Sequence, residues 1–540
     1  MSELRIQARD VYDDRPTPPR EGGRDVAMDD HGTRKIPANW RWGYIGATFT
    51  SFGVSTAMIY LLSGALYAQA YGARAAIIGA VVTWIYAFVA CFFVIRHVIN
   101  EGVSSDLLSR STFGYMGSAY IAILYAVVCS FYFAAEGSVM ASALHEAQPA
   151  VPYWGWAMIT GASFVLVGMF GMVLLTKIQW ATLVLYFVGL GAALWALFSG
   201  NDSRVSLDAM RAWSTYNPNN APFDVWTVLQ AVSGYIGVLG AILAVFNMDV
   251  ARFIRREDRR AGSWVFNLVN VTFPVLIMYI VGIQMLAGSG QPDPGVSLVR
   301  LIGPFGLFIT LITQVRINVL NMYGGTLGLA NFFSRMFGYV PGRQFWVFPF
   351  LIAATGIILT PFREYFPRIT IYISVFLCAW VSTLVGERVL VRKRRGLPQY
   401  SEVRRSYLPN YNVIGMISMW APVAIACVMA SGAIGVKALA LAVPLSIVVP
   451  FFAPALVAAC LSEERLLRSY IGRDLAPAPK EKDLLTCTVC KHEFHRSDFA
   501  LCPYHKNGWI CSYCCMSELR CETVCQTGDA RISPVRLQID

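Results

Sequence analysis

The chain has 540 residues, 56% of them hydrophobic and only 14% charged, with a mean hydropathy of +0.51. Those proportions exclude an ordinary soluble multidomain enzyme, because apolar residues run almost without pause from Trp42 to Leu461 and only the two ends are polar. The net charge of +11 does not signal nucleic acid: the 44 Lys and Arg residues sit in the ends and the short loops, Arg316 alone lies within an apolar stretch, and no basic, aromatic-lined groove is evident.

Residues 1–39 carry Arg, Asp, Pro and Gly with no apolar core, and are expected to form a disordered cytosolic leader, not a secretory signal. Residues 40–461 supply the membrane domain. At about 20 apolar residues per crossing, the chain predicts an all-α membrane protein with twelve helices. Six cover about 42–70, 73–95, 115–144, 153–175, 178–199 and 225–247, and six more cover about 263–287, 301–332, 344–360, 369–387, 411–430 and 438–460. With the amino terminus inside, the inward loops hold 17 Lys and Arg and the outward loops 7, as basic residues collect on the cytoplasmic side. The runs Arg252 to Arg260 and Arg392 to Arg395 both fall inward and read first as topology determinants. An even number of crossings also returns the carboxyl terminus to the cytosol.

Two spans depart from uniform apolar helix. The first contains Ser51, Phe52, Gly53, Val54 and Ser55, then Ser63 and Gly64; the sixth contains Ser233, Gly234, Tyr235, Ile236, Gly237 and Gly240. Each glycine taken singly reads as a close-packing position. Their placement in equivalent members of two five-helix halves points further, to helices broken near the bilayer midplane.

Two ionisable groups stand inside the apolar zone, Glu136 on the third helix and Arg316 on the eighth. A charge at mid-bilayer costs about 2.5 to 3.5 kcal/mol on insertion scales, so each needs a cavity or a partner. The simplest neutral arrangement is a direct Glu136–Arg316 pair. Polar company surrounds both: Tyr132 one turn before Glu136, and Thr313, Gln314, Asn318, Asn321 and Tyr323 about Arg316. Aromatic faces, amides and one carboxylate together suit a planar, hydrogen-bonding solute.

At these residues the chain resembles the nucleobase:cation symporter family, the purine/cytosine permease and hydantoin transporter group. The resemblance rests on Leu108 to Gly114 with Gly117 and Ser118, on Asn247 to Phe253 at the end of helix six, and on Asn321, Met322 and Tyr323 with Leu327 and Leu329 on helix eight. It implies a five-plus-five inverted repeat with two extra helices, and alternating access to a midplane site between helices one, three, six and eight. Carried over by position, it places Tyr132 near a stacking aromatic, Glu136 where relatives set an amide against the substrate, and Asn321 at the substrate-reading asparagine. Gly234 and Tyr235 fall in the broken part of helix six, and Gln314 joins the same binding set. Where sodium-coupled members have hydroxyl side chains, this chain has Val315 and Arg316. A guanidinium has donors only and cannot ligate sodium. The expectation is that Arg316 substitutes for the bound cation, making transport sodium-independent, with Glu136 as the candidate proton carrier.

After a linker over residues 462–484, a second region holds 8 of the 13 cysteines. The spacing is Cys487-x2-Cys490, Cys502-x2-His505, Cys511-x2-Cys514-Cys515 and Cys521-x3-Cys525, which suits paired metal-binding knuckles. A reducing cytosol favours Zn2+ over disulfides. Eight ligands fit two structural ions in a module over 485–530, followed by a tail over 531–540. A cross-braced scheme uses Cys487, Cys490, Cys511 and Cys514 for one ion and Cys502, His505, Cys521 and Cys525 for the other. A sequential scheme, or substitution by Cys515 or His495, satisfies the spacing equally.

The sequence therefore describes a multi-pass protein of the cell membrane with both termini cytosolic. The expected function is secondary active transport, symporter-like, of a nucleobase-like or related small heterocyclic solute. The alternative is a membrane solute sensor that signals through the zinc module to a cytosolic protein partner. Neither a phosphate-cradling loop nor a nucleophile motif argues for an enzyme.

Overall fold

The computed structural model describes residues 35–36, 40–168, 172–199, 205–337, 339, 343–397, 399–470, 484–495, 499–506 and 508–517. Each of the twelve apolar stretches is helical within these limits. Among the described residues nine helices are long and apolar enough to cross a membrane, ten if one bent pair is counted as a span. The protein is a multi-pass membrane protein.

The bent pair is the first span. Helix α1 (Tyr44–Ser55) and α2 (Met58–Tyr71) meet at 44°. The second and third spans are α3 (Ala73–Glu101) and α5 (Gly117–Ala147), joined by a short buried helix α4 (Ser105–Phe113) that Ser104 caps through Leu107 N–H. Helices α6 (Tyr153–Gly168) and α7 (Met172–Ser199) follow. The sixth span is α8 (Val225–Tyr235) and α9 (Ile242–Ala251), separated by a π-helical turn over Ile236–Ala241. The seventh is α10 (Arg259–Thr272) and α11 (Tyr279–Ser289), with a second π turn over Phe273–Met278. The eighth is α12 (Pro294–Phe337), whose backbone leaves helical geometry at Ile302 and Gly303. The remaining helices are the shorter α13 (Val347–Ile358), then α14 (Phe362–Gly386), α15 (Val413–Ala430) and α16 (Val436–Ala459). Wide turns in a membrane helix release backbone carbonyls from the i to i−4 ladder, and such turns concentrate at functional sites.

Small residues set the closest crossings. A Cβ at Gly64 would lie 2.3 Å from the Tyr279 carbonyl oxygen and one at Gly282 2.2 Å from that of Leu61, so α2 and α11 touch backbone to backbone. Gly328 does the same between α12 and α5, where a Cβ would meet the Ala122 carbonyl oxygen at 2.6 Å. This is packing by close approach, as expected where lipid supplies no hydrophobic drive between helices. The segments flanking the two broken spans, before α1 and after α9, are also joined by backbone: Trp42 N–H donates to Phe253 O at 2.5 Å, Arg255 N–H donates to Trp42 O at 2.9 Å, and the Trp42 and Phe253 rings stack at 4.7 Å.

The two stretches expected to be irregular contain packed residues. Ile36 of the leader is 2% exposed and donates its N–H to Gly102 O. The linker begins as a helix over Glu463–Arg468, and Leu466 and Tyr470 bury against Val391, Leu397 and Ile414. The rest of the leader, residues 471–483 and the tail over 531–540 lie outside the described residues. The cysteine module consists of two antiparallel strand pairs: β1 (Leu484–Thr486) with β2 (Glu493–His495), and β3 (Phe499–Cys502) with β4 (Gly508–Cys511), followed by α17 (Ser512–Ser517).

Candidate functional site

The break in the first span organises the site. Between α1 and α2 two residues, Thr56 and Ala57, leave the helix, so the last carbonyls of α1 and the first N–H groups of α2 lose the partners that a continuous helix would give them. Ala57, at the N-cap, has no side chain that can bond to them. Glu136 supplies the acceptor from α5: its Oε1 accepts the Ile59 N–H at 3.2 Å. Gln314 of α12 donates its amide to the Glu136 carbonyl oxygen at 2.9 Å. Glu136 is 0% exposed, and its Oε2 and the Gln314 Oε1 accept no hydrogen bond from any described residue.

One turn earlier on α5, the Tyr132 hydroxyl donates to Gly237 O at 3.2 Å and Val238 O at 3.0 Å. Those carbonyls belong to the π turn of the sixth span. A single helix, α5, therefore carries two side chains four residues apart that address the interruptions of both broken spans. Spacing of i and i+4 puts them on one face.

Arg316 takes a different direction. Its guanidinium donates to the Thr56 hydroxyl and to Thr182 Oγ1 of α7 at 3.4 Å, and stands 5.6 Å from the Tyr186 ring centroid. Thr56 in turn donates to Phe52 O at 3.3 Å and Gly53 O at 3.1 Å, the last carbonyls of α1. The expected Glu136–Arg316 pair is not formed. Positions 314 and 316 of one helix are about 200° apart, and because Gln314 faces α5 and Glu136, Arg316 must face away from them. The charges instead complement opposite ends of the break, the cation near the carbonyl end of α1 and the carboxylate at the amide end of α2.

The other expected residues divide. Tyr235 is fully buried between Tyr67 and Tyr279, with ring centroids at 4.5 and 4.2 Å, and its hydroxyl and that of Tyr279 make no hydrogen bond to described residues. Gly234 is a packing position, since a Cβ there would lie 2.2 Å from Tyr67 Cε1. Asn321 donates to Asn318 Oδ1 at 3.2 Å on its own helix, two turns beyond Gln314 and on a similar face. Sequence reading did not reach Ile59, Thr56, Tyr186 and Tyr279, because a backbone N–H, a common threonine and two apolar-span tyrosines carry no local signal of these contacts.

A polar cluster lies at the loop ends of α5 and α12. Arg335 bonds Asp106 at 2.5 Å and Ser118 at 2.5 Å, and Arg110 donates to Asn331 Oδ1 at 3.4 Å and Val403 O at 3.3 Å. Asp249, within the helix-six motif, accepts the Ser105 N–H at 2.8 Å and so holds the start of α4. Asp106, Asn331, Ser105, Asp249, Tyr125 and Trp380 line a small recess. Arg392, from one of the basic runs, is 2% exposed and bonds Glu387 at 2.6 Å and Ser111 O at 3.1 Å, so it is a tertiary contact besides a charge on the loop side. The stretches Leu108 to Gly114 with Ser118 and Asn247 to Phe253 carry Arg110, Ser118 and Asp249 of this cluster, and Asp106 stands four residues before Arg110 on one helix.

In the module, the sulfurs of Cys487, Cys490, Cys511 and Cys514 all lie within 4.8 Å of one another, and Cys490 and Cys511 are 3.9 Å apart. A zinc–sulfur bond of about 2.3 Å gives a tetrahedral edge of about 3.8 Å, so the four fit one ion. Cys511 N–H points to Cys487 Sγ at 3.4 Å and Cys514 N–H to Cys511 Sγ at 3.5 Å. Burial pushes the Cys487 thiol up, but the N–H groups of Cys511, Cys490 and Val489 outweigh it and hold it below the ordinary thiol range; burial pushes Cys490 up to about 11. Cys502 and His505 sit at the end of β3 and the turn after it. Their expected co-ligands Cys521 and Cys525 lie outside the described residues.

No family model matches the sequence, and no curated protein matches it. Solved structures do. The chain is similar to Mhp1, a nucleobase-cation-symport-1 family transporter, in a closed conformation with bromovinylhydantoin bound: 16% identity, 81% of this chain, 98% of that chain, TM-score 0.57. It is similar to Mhp1 in its inward-facing conformation, at 16% identity over 81% of this chain and 97% of that one, TM-score 0.59. A substrate-bound, outward-open Na+-coupled sialic acid symporter matches at 11% identity over 81% of this chain and 93% of that one, TM-score 0.52. These likenesses define the class of fold, that of the helical symporters with broken first and sixth spans.

Proposed function

We propose that this protein is a secondary transporter working by alternating access, with a nucleobase-like or related small heterocyclic solute bound where spans one, three, six and eight meet. The observation that carries this reading is the reach of Glu136 and Tyr132 from one face of α5 to the break of span one and the π turn of span six. Broken spans of this kind surround the midplane sites of transporters, and the unsatisfied Glu136 Oε2 and Gln314 Oε1 are acceptors a planar solute can meet. Tyr132, Glu136, Gln314 and Asn321 form the binding set in this reading, with Gly234 and Tyr235 shaping its wall.

Arg316 supplies the charge that relatives draw from a bound cation. Its contacts to Thr56, Thr182 and Tyr186 tie spans one, five and eight together. Solute uptake into proteoliposomes is therefore expected to persist when choline replaces sodium; loss of most uptake refutes the sodium-independent reading. Saturable uptake of any purine, pyrimidine or hydantoin in that system tests the transporter reading itself, and binding without accumulation favours the sensor. In this reading both termini face the cytosol, the orientation that puts the basic-rich loops on the cytoplasmic side.

The module binds structural zinc through Cys487, Cys490, Cys511 and Cys514, with a second ion held by Cys502, His505, Cys521 and Cys525. A bound ion would fix the two knuckles against each other and supply folding free energy that so small a core lacks.

A further inference from the structure

The module rests on the same chain's membrane domain. Arg404 Nη1 donates to Phe499 O at 3.1 Å, and Arg405 Nη1 donates to Cys515 O at 3.2 Å. Both acceptors are set by the cysteine knuckle: Phe499 pairs across the β3–β4 ladder with Cys511, and Cys515 directly follows Cys514. Phe499 is 0% exposed and belongs to the module core with Cys487 and Cys511.

From Arg405 the contacts run inward. Its guanidinium lies 5.3 Å from the Tyr115 ring centroid, and those of Arg110 and Arg335 lie 5.8 and 5.9 Å from the same ring. Three cations thus share one aromatic ring, while Asp106 is bonded to Arg335 at 2.5 Å and approaches Arg110 at 3.8 Å. The mutual repulsion of guanidiniums in a buried setting is substantial, and of the three Arg405 is held by a module carbonyl, that of Cys515, while its neighbour Arg404 is held by that of Phe499. Asp106 and Asn331, the partners of Arg335 and Arg110, line the recess between α4, α5, α9, α12 and α14.

We propose that the cysteine module is a metal-dependent latch on the cytosolic mouth of the transport path. With the four thiolates closed on zinc, the Phe499 and Cys515 carbonyls stay in position and keep the Arg404–Arg405 loop against Tyr115, Arg110 and Arg335. Loss of the metal loosens the knuckle, the two carbonyls leave, and the arginine cluster is free to separate. The cytosolic zinc or thiol state would then set how readily the mouth opens. This rests on the alternating-access reading, and linkage requires its converse: conditions that open the mouth must weaken metal binding by the same factor.

The test uses the full chain in detergent with cobalt(II) in place of zinc, read by the absorption bands of a tetrahedral tetrathiolate site and by amide hydrogen exchange. Removing the metal with a chelator is expected to speed exchange about fivefold or more over residues 401–408 and 105–113. The double variant Arg404→Ala, Arg405→Ala is expected to do the same with the cobalt spectrum retained and the metal bound several-fold more weakly. Unchanged exchange over 105–113 after metal removal overturns the latch, as does a variant whose loop loosens with no change in metal affinity. Absence of tetrathiolate bands overturns it as well. None of these readouts needs a solute, so the latch fails or stands separately from the transport reading.

Discussion

Glu136 and Arg316 lie on neighbouring spans and answer opposite ends of one helix break: the carboxylate accepts from Ile59 N–H at the start of α2, and the guanidinium reaches Thr56, whose hydroxyl bonds the last carbonyls of α1. Each charge is matched by a helix end instead of by the other charge. The burial cost that the bilayer imposes on each charge is offset at the helix break, with no direct ion pair between spans three and eight.

Replacing Glu136 separates capping from charge. Glu136→Gln keeps an oxygen for Ile59 N–H and is expected to unfold close to the wild-type temperature, whereas Glu136→Ala leaves that N–H bare and costs about 1 to 2 kcal/mol. Thermal unfolding of the purified protein in detergent gives the comparison. Equal midpoints for the two variants contradict the capping role.

The same carboxylate occupies the helix end that broken-span transporters aim at anionic substrate groups. Solutes carrying a carboxylate are therefore expected to bind wild type weakly and Glu136→Gln better, while neutral donors such as cytosine lose affinity in the variant by about tenfold. Competition binding with orotate and cytosine decides it.

Arg316 and Thr56 are expected to be coupled. Arg316→Ala and Thr56→Val each remove the same contact, so the double variant is expected to be more stable than the sum of the single losses predicts, by about 0.5 to 3 kcal/mol. Replacing Arg316 with Ser also restores a hydroxyl at this position, and sodium is then expected to raise solute affinity. A sodium titration of binding in wild type and variant measures this.

Gly64→Ala and Gly282→Ala drive a Cβ into a backbone carbonyl that cannot move aside. Each is expected to lower stability by about 1 to 3 kcal/mol. Gly191→Ala and Gly356→Ala, where a Cβ meets nothing within 4 Å, are the controls and are expected to be neutral or stabilising.

Glu402 provides a pH-dependent lock on the docking loop. Burial pushes its carboxyl up, but the Arg404 guanidinium beside it, with the Val403 and Arg404 N–H groups at 2.9 Å, holds it below the usual carboxylate range. A depressed folded value means the contribution is present above the unfolded value of about 4.3 and is lost as pH falls through the folded value. Protection of the Val403 and Arg404 amides is expected to be constant from about pH 5 to 8, after correction for intrinsic exchange, and to fall only in stronger acid.

The apolar helices were legible because a bilayer sets their length and leaves little choice of composition, and the breaks of the first and sixth spans were legible as clusters of Ser and Gly in otherwise uniform apolar helix. Glu136 and Tyr132 stood out for the same reason, as polar groups where lipid would tax them. The pairing of cysteines into short knuckles was legible from spacing, but the choice of Cys487, Cys490, Cys511 and Cys514 over a sequential scheme came from the proximity of the four sulfurs in the structure. Their partners were not: Ile59 contributes a backbone N–H that every residue has, and Arg404 and Arg405 look like ordinary inward loop charges.

What the sequence determined by itself was which residues are too polar to face hydrocarbon, because that follows from solvation and needs no neighbours. What only the tertiary structure decided was where each of them turns. The angle between Gln314 and Arg316 on one helix, together with the approach of α5 and α12 allowed by glycine, sends the carboxylate and the guanidinium to opposite ends of a break, and the Arg404 and Arg405 contacts to Phe499 O and Cys515 O set the cysteine module beside the arginine cluster.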